Sequence, residues 1–179
     1  MRILTLSCFL LLSASADAQV VISDALVKDT LAWSHNCEDS GKTCWLEKIV
    51  EFRSQSGMEH GGLAVSYDTV SKQPEFIAVI LPKDVPPASE VLIRFVDSVK
   101  KDGKWTLAPA DKDFIALPLS GCDPESCQAR VHARIPEGPN LFEEIQKRNH
   151  LWVVFKRNNA LERFMVPLDA FGEELKGIE

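Results

Sequence analysis

Two cysteines in the stretch LSGCDPESCQAR, Cys122 and Cys127, are the residues whose types and spacing first suggest chemistry. Such a pair could bind a metal, exchange disulfides with other thiols or form a structural disulfide. Structural zinc needs a second close ligand pair, and Cys37 and Cys44 have the wrong spacing for one. A redox centre favours C-x-x-C at a helix start, whereas the Asp-Pro pair inside this loop indicates a turn. The spacing therefore favours a structural disulfide, with redox and metal sites as alternatives.

The N-terminus is typical of a secretory signal peptide. A single Arg precedes a ten-residue apolar run over residues 3–12, and small residues allow cleavage after Ala16 or Ala18. Residues 1–18 are therefore predicted to be a signal peptide, and residues 19–179 a single domain. The fifth cysteine lies inside the apolar run and is removed with it.

Export brings the four remaining cysteines into an oxidising compartment, where they are expected to form two disulfides. Four cysteines can form two disulfides in three different pairings. The short spacings favour Cys37–Cys44 and Cys122–Cys127, because near neighbours in sequence meet first. Each bond would contribute roughly 2–2.5 kcal/mol on the chain-entropy account, so a hydrophobic core must supply the remaining stability.

Composition and charge narrow the class of protein. With 179 residues, 45% hydrophobic and 26% charged, the chain is long and apolar enough for one globular domain. Its net charge of −6 argues against non-specific nucleic-acid binding. It has no run of 18 apolar residues, so no transmembrane span is predicted.

Apolar patterning predicts an all-β fold, mainly an antiparallel sandwich or barrel-like structure, with one or two short helices in the C-terminal half. Asn158-Asn159 predicts a hairpin turn, Asn140 is expected to cap one helix, and Asp169 the C-terminal helix. The continuous run 76–81 is expected to be a strand buried on both faces. Strands are predicted over residues 44–52, 63–67, 76–81, 91–96, 114–119, 128–135, 151–156 and 161–166.

Five segments in a fixed order carry a family resemblance: WSHNC, TCWLEK, ALPLSGCDPESCQARV, LFEEIQKRNHLWVVF and VPLDAFGEEL. Together, from Trp33 to Leu175, they resemble the invasion-associated locus B family of exported bacterial proteins. Members usually have Gly-Phe where this chain has Ala170 and Phe171, and residues 57–104 match only in pattern. The resemblance implies a β-sandwich-like domain, periplasmic or exported across the envelope, linked in some pathogens to host-cell entry. It implies no catalytic residues.

Other fragments of catalytic motifs lack their required partners. Ser98 to Lys101 matches S-x-x-K, but neither Lys-Thr-Gly nor Ser-Asp-Asn follows. The four histidines show no metal-ligand spacing. The sequence therefore predicts no catalytic residues, no metal and no cofactor.

A basic segment is the remaining functional signal. Residues 128–163 contain seven Lys or Arg and four Glu, although the whole chain is acidic. If the 128–135 strand lies beside the hairpin that follows it, a basic surface results; the plain alternative is a solvated sheet face. This surface would bind lipopolysaccharide phosphates, another envelope protein or a host surface. Its candidate residues are Arg130, His132, Arg134, Trp152, Lys156, Arg157 and Arg163.

Together these features predict a non-enzymatic, exported β-domain that binds a protein or an anionic envelope component and supports host-cell invasion. Its expected location is the periplasm, with the outer surface or secretion as alternatives. Two other functions stay open: an envelope thiol-active factor or enzyme that uses Cys122 and Cys127, and a small-ligand carrier.

Overall fold

The computed structural model describes residues 21–22, 32–101, 104–107, 114–136 and 138–177. The predicted signal peptide lies outside these ranges. The described chain is mostly antiparallel β-structure with two short helices in its C-terminal half, as the patterning predicts. Neither described helix is long and apolar enough to cross a membrane.

The larger sheet has six strands, all paired antiparallel, in the order β10-β11-β5-β4-β3-β2. The three central strands form a meander, which β11 extends on one side and β2 on the other. The strands are β2 (Ser34–Cys37), β3 (Thr43–Ser54), β4 (Gly57–Asp68), β5 (Pro74–Pro82), β10 (Leu119–Cys122) and β11 (Ser126–His132).

The second sheet has four antiparallel strands in the order β13-β12-β6-β9, and a third, small sheet has the order β1-β8-β7. The four are β6 (Val91–Val96), β9 (Ile115–Leu117), β12 (His150–Arg157) and β13 (Ala160–Pro167). The small sheet contains β1 (Val21–Ile22), β7 (Ser98–Lys101) and β8 (Lys104–Leu107). The helices are α1 (Leu141–Lys147) and α2 (Phe171–Lys176).

The core lies between the six-stranded and four-stranded sheets, where strands such as β3, β5 and β12 bury alternate residues. Phe52 on β3 contacts Phe164 on β13 and Phe155 on β12, with ring centroids 4.9 and 6.3 Å apart. A Cβ at Gly61 would lie 2.7 Å from the Phe164 ring, so only glycine permits this close packing. The architecture is therefore an antiparallel sandwich.

One buried arginine joins the two sheets. Arg157 on β12 is 2% exposed and donates hydrogen bonds to Glu162 on β13 and Glu59 on β4. Burial alone lowers the pKa of the guanidinium, but its bonds to the two carboxylates outweigh that effect and raise the pKa. Since two carboxylates surround the guanidinium, it can stay ionised in the core.

Both predicted disulfides are present. Cys37–Cys44 joins β2 to β3, and Cys122–Cys127 joins β10 to β11, each at directly paired positions. In the second pair, the half-cystine at 127 is fully buried and its sulfur lies 3.1 Å from the Lys83 carbonyl. This packing supports the structural reading of the loop.

Local turn and cap predictions are mostly confirmed. Asn158 and Asn159 have φ values of 49° and 63°, and they join β12 to β13. Asn140 caps α1, with its side chain accepting from the backbone N–H of Glu143. Asp169 does not cap α2, however; Ala170 occupies the cap position and makes no side-chain bond. That prediction is wrong because Ala170 adds one residue between Asp169 and the helix.

Two strand predictions also need correction. The predicted strand 114–119 is two strands in different sheets. Pro118 lies between β9 and β10 in sequence and ends the hydrogen-bonded pairing of β9. The run 76–81 lies centrally in its sheet but is buried on one face only. Alternate residues on its other face, such as Phe76 and Ile80, are half-buried. Its uninterrupted apolar sequence therefore reflects two different environments.

Candidate functional site

The predicted basic surface does not form, because its residues lie on different sheets. Arg130 and His132 lie on β11 of the six-stranded sheet, and exposed Arg134 follows that strand. Trp152, Lys156 and Arg163 lie on the outer face of the four-stranded sheet. Arg157 is buried with its carboxylate partners and offers no surface charge. The expectation that β11 lies beside the β12–β13 hairpin is wrong, since β11 pairs with β5 and β10.

The structure instead draws attention to the outer face of the six-stranded sheet, which we call the open sheet face. Side chains from four of its strands, β3, β4, β5 and β11, surround a depression of about 340 Å³ there. The face is defined by Trp45, Glu47, Ile49, Ser66, Ala64, Phe76, Ala78, Ile80, Gln128, Arg130 and His132.

Strand register arranges this face in rows that run across the strands. The central row is Arg130, Ala78, Ala64 and Glu47, one residue each from β11, β5, β4 and β3. Two alanines therefore form a low apolar floor between a cation and an anion. The ends of the row are three strand spacings apart, about 14 Å between Cα atoms.

Large side chains border this floor on one side. The next row contains His132, Phe76, Ser66 and Trp45 in the same strand order. Phe76 and Trp45 are half-buried and flank the small Ser66, whose hydroxyl accepts a 3.1 Å hydrogen bond from the Phe76 backbone N–H. The resulting surface is apolar in the centre and polar at its edges, as in protein-binding surfaces.

The basic end is held in place by aromatic contacts. The Arg130 guanidinium carbon lies 3.8 Å from the centre of the Phe76 ring, and the His132 ring lies 4.4 Å from the same ring. A guanidinium stacked on an aromatic face keeps its N–H donors directed outward. Arg130 is therefore an oriented cation at the edge of the depression.

The acidic end is partly desolvated. Burial raises the pKa of the Glu47 carboxyl above its ordinary value, and a hydrogen bond from the Trp45 side chain opposes that rise. A partly buried carboxylate gains more from a cation brought against it than an exposed one does. The depression thus presents two opposite charges across an apolar floor.

Sequence reasoning assigned Arg130 and His132 to a surface but missed Trp45, Glu47 and Phe76. The missed signal is in CWLEKIVEF, where residues alternating with the core set include Trp45 and Ile49. A strand that carries apolar residues on both of its faces indicates a second apolar surface besides the core. Pairing of β3 with β4 and β5 could not be read from that pattern.

One further cluster contains metal-ligand residue types. The ligand atoms of His35, Cys37 and Cys44 lie within 4.8 Å of one another. The two sulfurs are bonded to each other, and His35 Nε2 lies 2.5 Å from the Tyr67 hydroxyl. In this oxidised form the cluster is part of the β2–β3 connection and presents no thiolate ligand.

Residues from three of the family-like segments meet around the turn before α2. Trp33 donates a 2.9 Å hydrogen bond to the Asp169 carbonyl, and its ring lies 5.0 Å from the Phe171 ring. Buried Lys48 reaches the Asp169 carboxylate at 3.7 Å. These segments therefore share a structural role in joining β2, β3 and α2.

Comparisons with known proteins identify no relative: no family model, no curated protein and no solved structure matches this chain. The family resemblance accordingly stays a prediction, and the open sheet face is the structural feature from which a function can be inferred.

Proposed function

We propose that this protein is an exported, non-enzymatic β-domain of the bacterial envelope that binds a protein partner through its open sheet face and supports host-cell invasion. One observation carries the binding proposal: an apolar floor of Ala64 and Ala78 lies between the stacked cation of Arg130 and the partly buried carboxylate of Glu47. The export and invasion parts rest on the signal-like N-terminus, the disulfides and the family resemblance.

The spacing of the charged groups favours binding over catalysis. Arg130 and Glu47 lie about 14 Å apart along the row, so they do not converge on one reacting bond. Two separated, oriented charges instead fix the register of a broad partner, while the apolar floor supplies the area that is removed from water.

Residue-specific photo-crosslinking in producing cells tests this proposal. A photoreactive phenylalanine analogue at Ala78 lies in the floor of the face, and the same analogue at Val154 lies on the opposite sheet as a matched control. We expect a protein adduct from position 78, none from position 154, and loss of the adduct with Arg130→Glu. Equal adducts from both positions, or none from position 78, would overturn the proposal.

A further inference from the structure

We propose that the partner of the open sheet face is a second copy of this chain, which forms a two-fold symmetric dimer. This inference rests on the proposed function, since it names the occupant of the same face. The evidence for the dimer is the strand register, which places charges and side chains of different size so that two copies of the face complement each other. A symmetric dimer requires such a pattern, because each residue then contacts its counterpart across one axis.

Charge selects the direction of the axis. The centre of the face lies between β4 and β5, and a two-fold axis along these strands exchanges the position of β11 with that of β3. Arg130 then faces Glu47 of the second copy, and the symmetric pair repeats the contact. An axis across the strands would place Arg130 against Arg130, which like charge disfavours.

Side-chain size fits the same axis. On the open face β5 presents a ridge with Phe76 and Ile80, whereas β4 presents the smaller Ser66 and Gly62 at the paired positions. Exchange of β4 and β5 places Phe76 against Ser66 of the second copy, and Ala78 against Ala64. The ridge of each copy therefore lies over the low strand of the other, so the sheets can approach closely.

The reach of the charged side chains and the area of the face are also sufficient for a dimer. Aligned sheets pack about 10 Å apart, a gap that an arginine and a glutamate on facing sheets can span together. Four strands of about 20 Å and two four-residue strands of about 14 Å, at about 4.8 Å spacing, give roughly 500 Å² of sheet per copy. Two such faces together reach about 1,000 Å², the minimum expected for a specific interface.

Charge reversal provides a decisive experiment. Arg130→Glu and Glu47→Arg, made separately, each place like charges at both symmetric contacts. We expect each to raise the dimer dissociation constant at least ~100-fold, measured by sedimentation equilibrium. The double variant, Arg130→Glu with Glu47→Arg, restores opposite charges and should dimerise again. Arg163→Glu, on the other sheet, is the matched control and should dimerise normally.

Mixing the two single variants gives the sharpest outcome. In a heterodimer, the two acidic positions of one copy face the two basic positions of the other, so native mass spectrometry should detect a heterodimer from two species that dimerise poorly alone. Thermal unfolding of each variant separates loss of association from loss of folding.

A monomeric wild-type protein, or a mixture without heterodimer, would overturn the dimer. Photo-crosslinking at Ala78 then separates the two proposals. Adducts with a foreign protein but not with a second copy would leave the proposed function standing and remove the dimer. No adduct at all would remove both.

Discussion

The indole N–H of Trp33 donates a 2.9 Å hydrogen bond to the backbone carbonyl of Asp169, 136 residues further along the chain. The bond ties the segment before β2 to the turn before α2. The Trp33 ring packs on Phe171, and Phe171 in turn contacts Phe142 of α1 with ring centroids 5.8 Å apart. Both helices are thereby packed against the segment that leads into β2.

Substitution at Trp33 should separate this hydrogen bond from the packing. Trp33→Phe keeps a ring against Phe171 but removes the donor, so we expect a loss of about 1 kcal/mol in the free energy of unfolding. Trp33→Ala also removes the ring and should lose about 3–5 kcal/mol. Urea denaturation measures both. Trp152→Phe, at a half-buried position on the four-stranded sheet, is the control and should lose less than Trp33→Phe. An equal loss would contradict a special role for the Trp33 bond.

Ala170 adopts a left-handed backbone conformation with φ of 62°. Members of the invasion-associated locus B family, which this chain resembles, usually have glycine at this position. This conformation costs a non-glycine residue about 1–2 kcal/mol, whereas glycine loses about 0.5–1 kcal/mol more backbone entropy on folding. We therefore expect Ala170→Gly to stabilise the protein by about 0.5 kcal/mol net. Ala116→Gly, at an exposed position of β9, should destabilise it. Thermal unfolding compares the two, and destabilisation by both would contradict the strain at Ala170.

Local features of the fold could be predicted from the sequence, because short-range chemistry determines them. The Asn158-Asn159 hairpin needs only two residues that tolerate positive φ, and the Asn140 cap needs one side-chain acceptor. Both disulfides close loops short enough to form between neighbours. The alternation of β11 likewise places Arg130 and His132 on one face without knowledge of the neighbouring strands.

Strand neighbours could not be predicted in the same way. Residues 128–163 are continuous in sequence, yet β11 and β12 lie in different sheets, with α1 in the connection between them. Pairing of β11 with β5 depends on many weak contacts over a long sequence separation, and no local pattern encodes it. The candidate site, which requires four aligned strands, was therefore invisible before the sheet order was known.

Arg157 was nevertheless predictable as a buried residue. It continues the period-two series Leu151, Val153 and Phe155, all of which face the core. An interpretation of Arg157 as part of a charged hairpin surface overlooks its partners, half-buried Glu59 and buried Glu162. An arginine in phase with a core series indicates an internal ion pair.

Breaking this ion pair should be strongly destabilising. Arg157→Met leaves two carboxylates beside the core without their cation, and we expect a loss of about 3–5 kcal/mol in urea denaturation. Adding Glu162→Met and Glu59→Gln removes the unpaired charges and should recover most of that loss. The control Arg163→Met, at an exposed position of β13, should change stability by no more than about 0.5 kcal/mol. A small effect at Arg157 would contradict the structural role of the pair.

The Asp123 turn should make stability depend on pH in the acid range. Its carboxylate accepts hydrogen bonds from the backbone N–H groups of Ser126 and Glu125, which lower the pKa of Asp123 below its ordinary value of 3.8. A lowered folded-state pKa contributes stability that is fully present above the unfolded value and is lost as pH falls through the folded value. Asp123→Asn keeps an acceptor oxygen but no charge. Wild type should therefore exceed this variant in thermal stability at neutral pH. The difference should begin to shrink as pH falls below about 3.8 and disappear only once pH has fallen through the lower folded-state pKa of Asp123. A difference that stays constant from neutral to acid pH would mean that the charge of Asp123 contributes nothing to the turn.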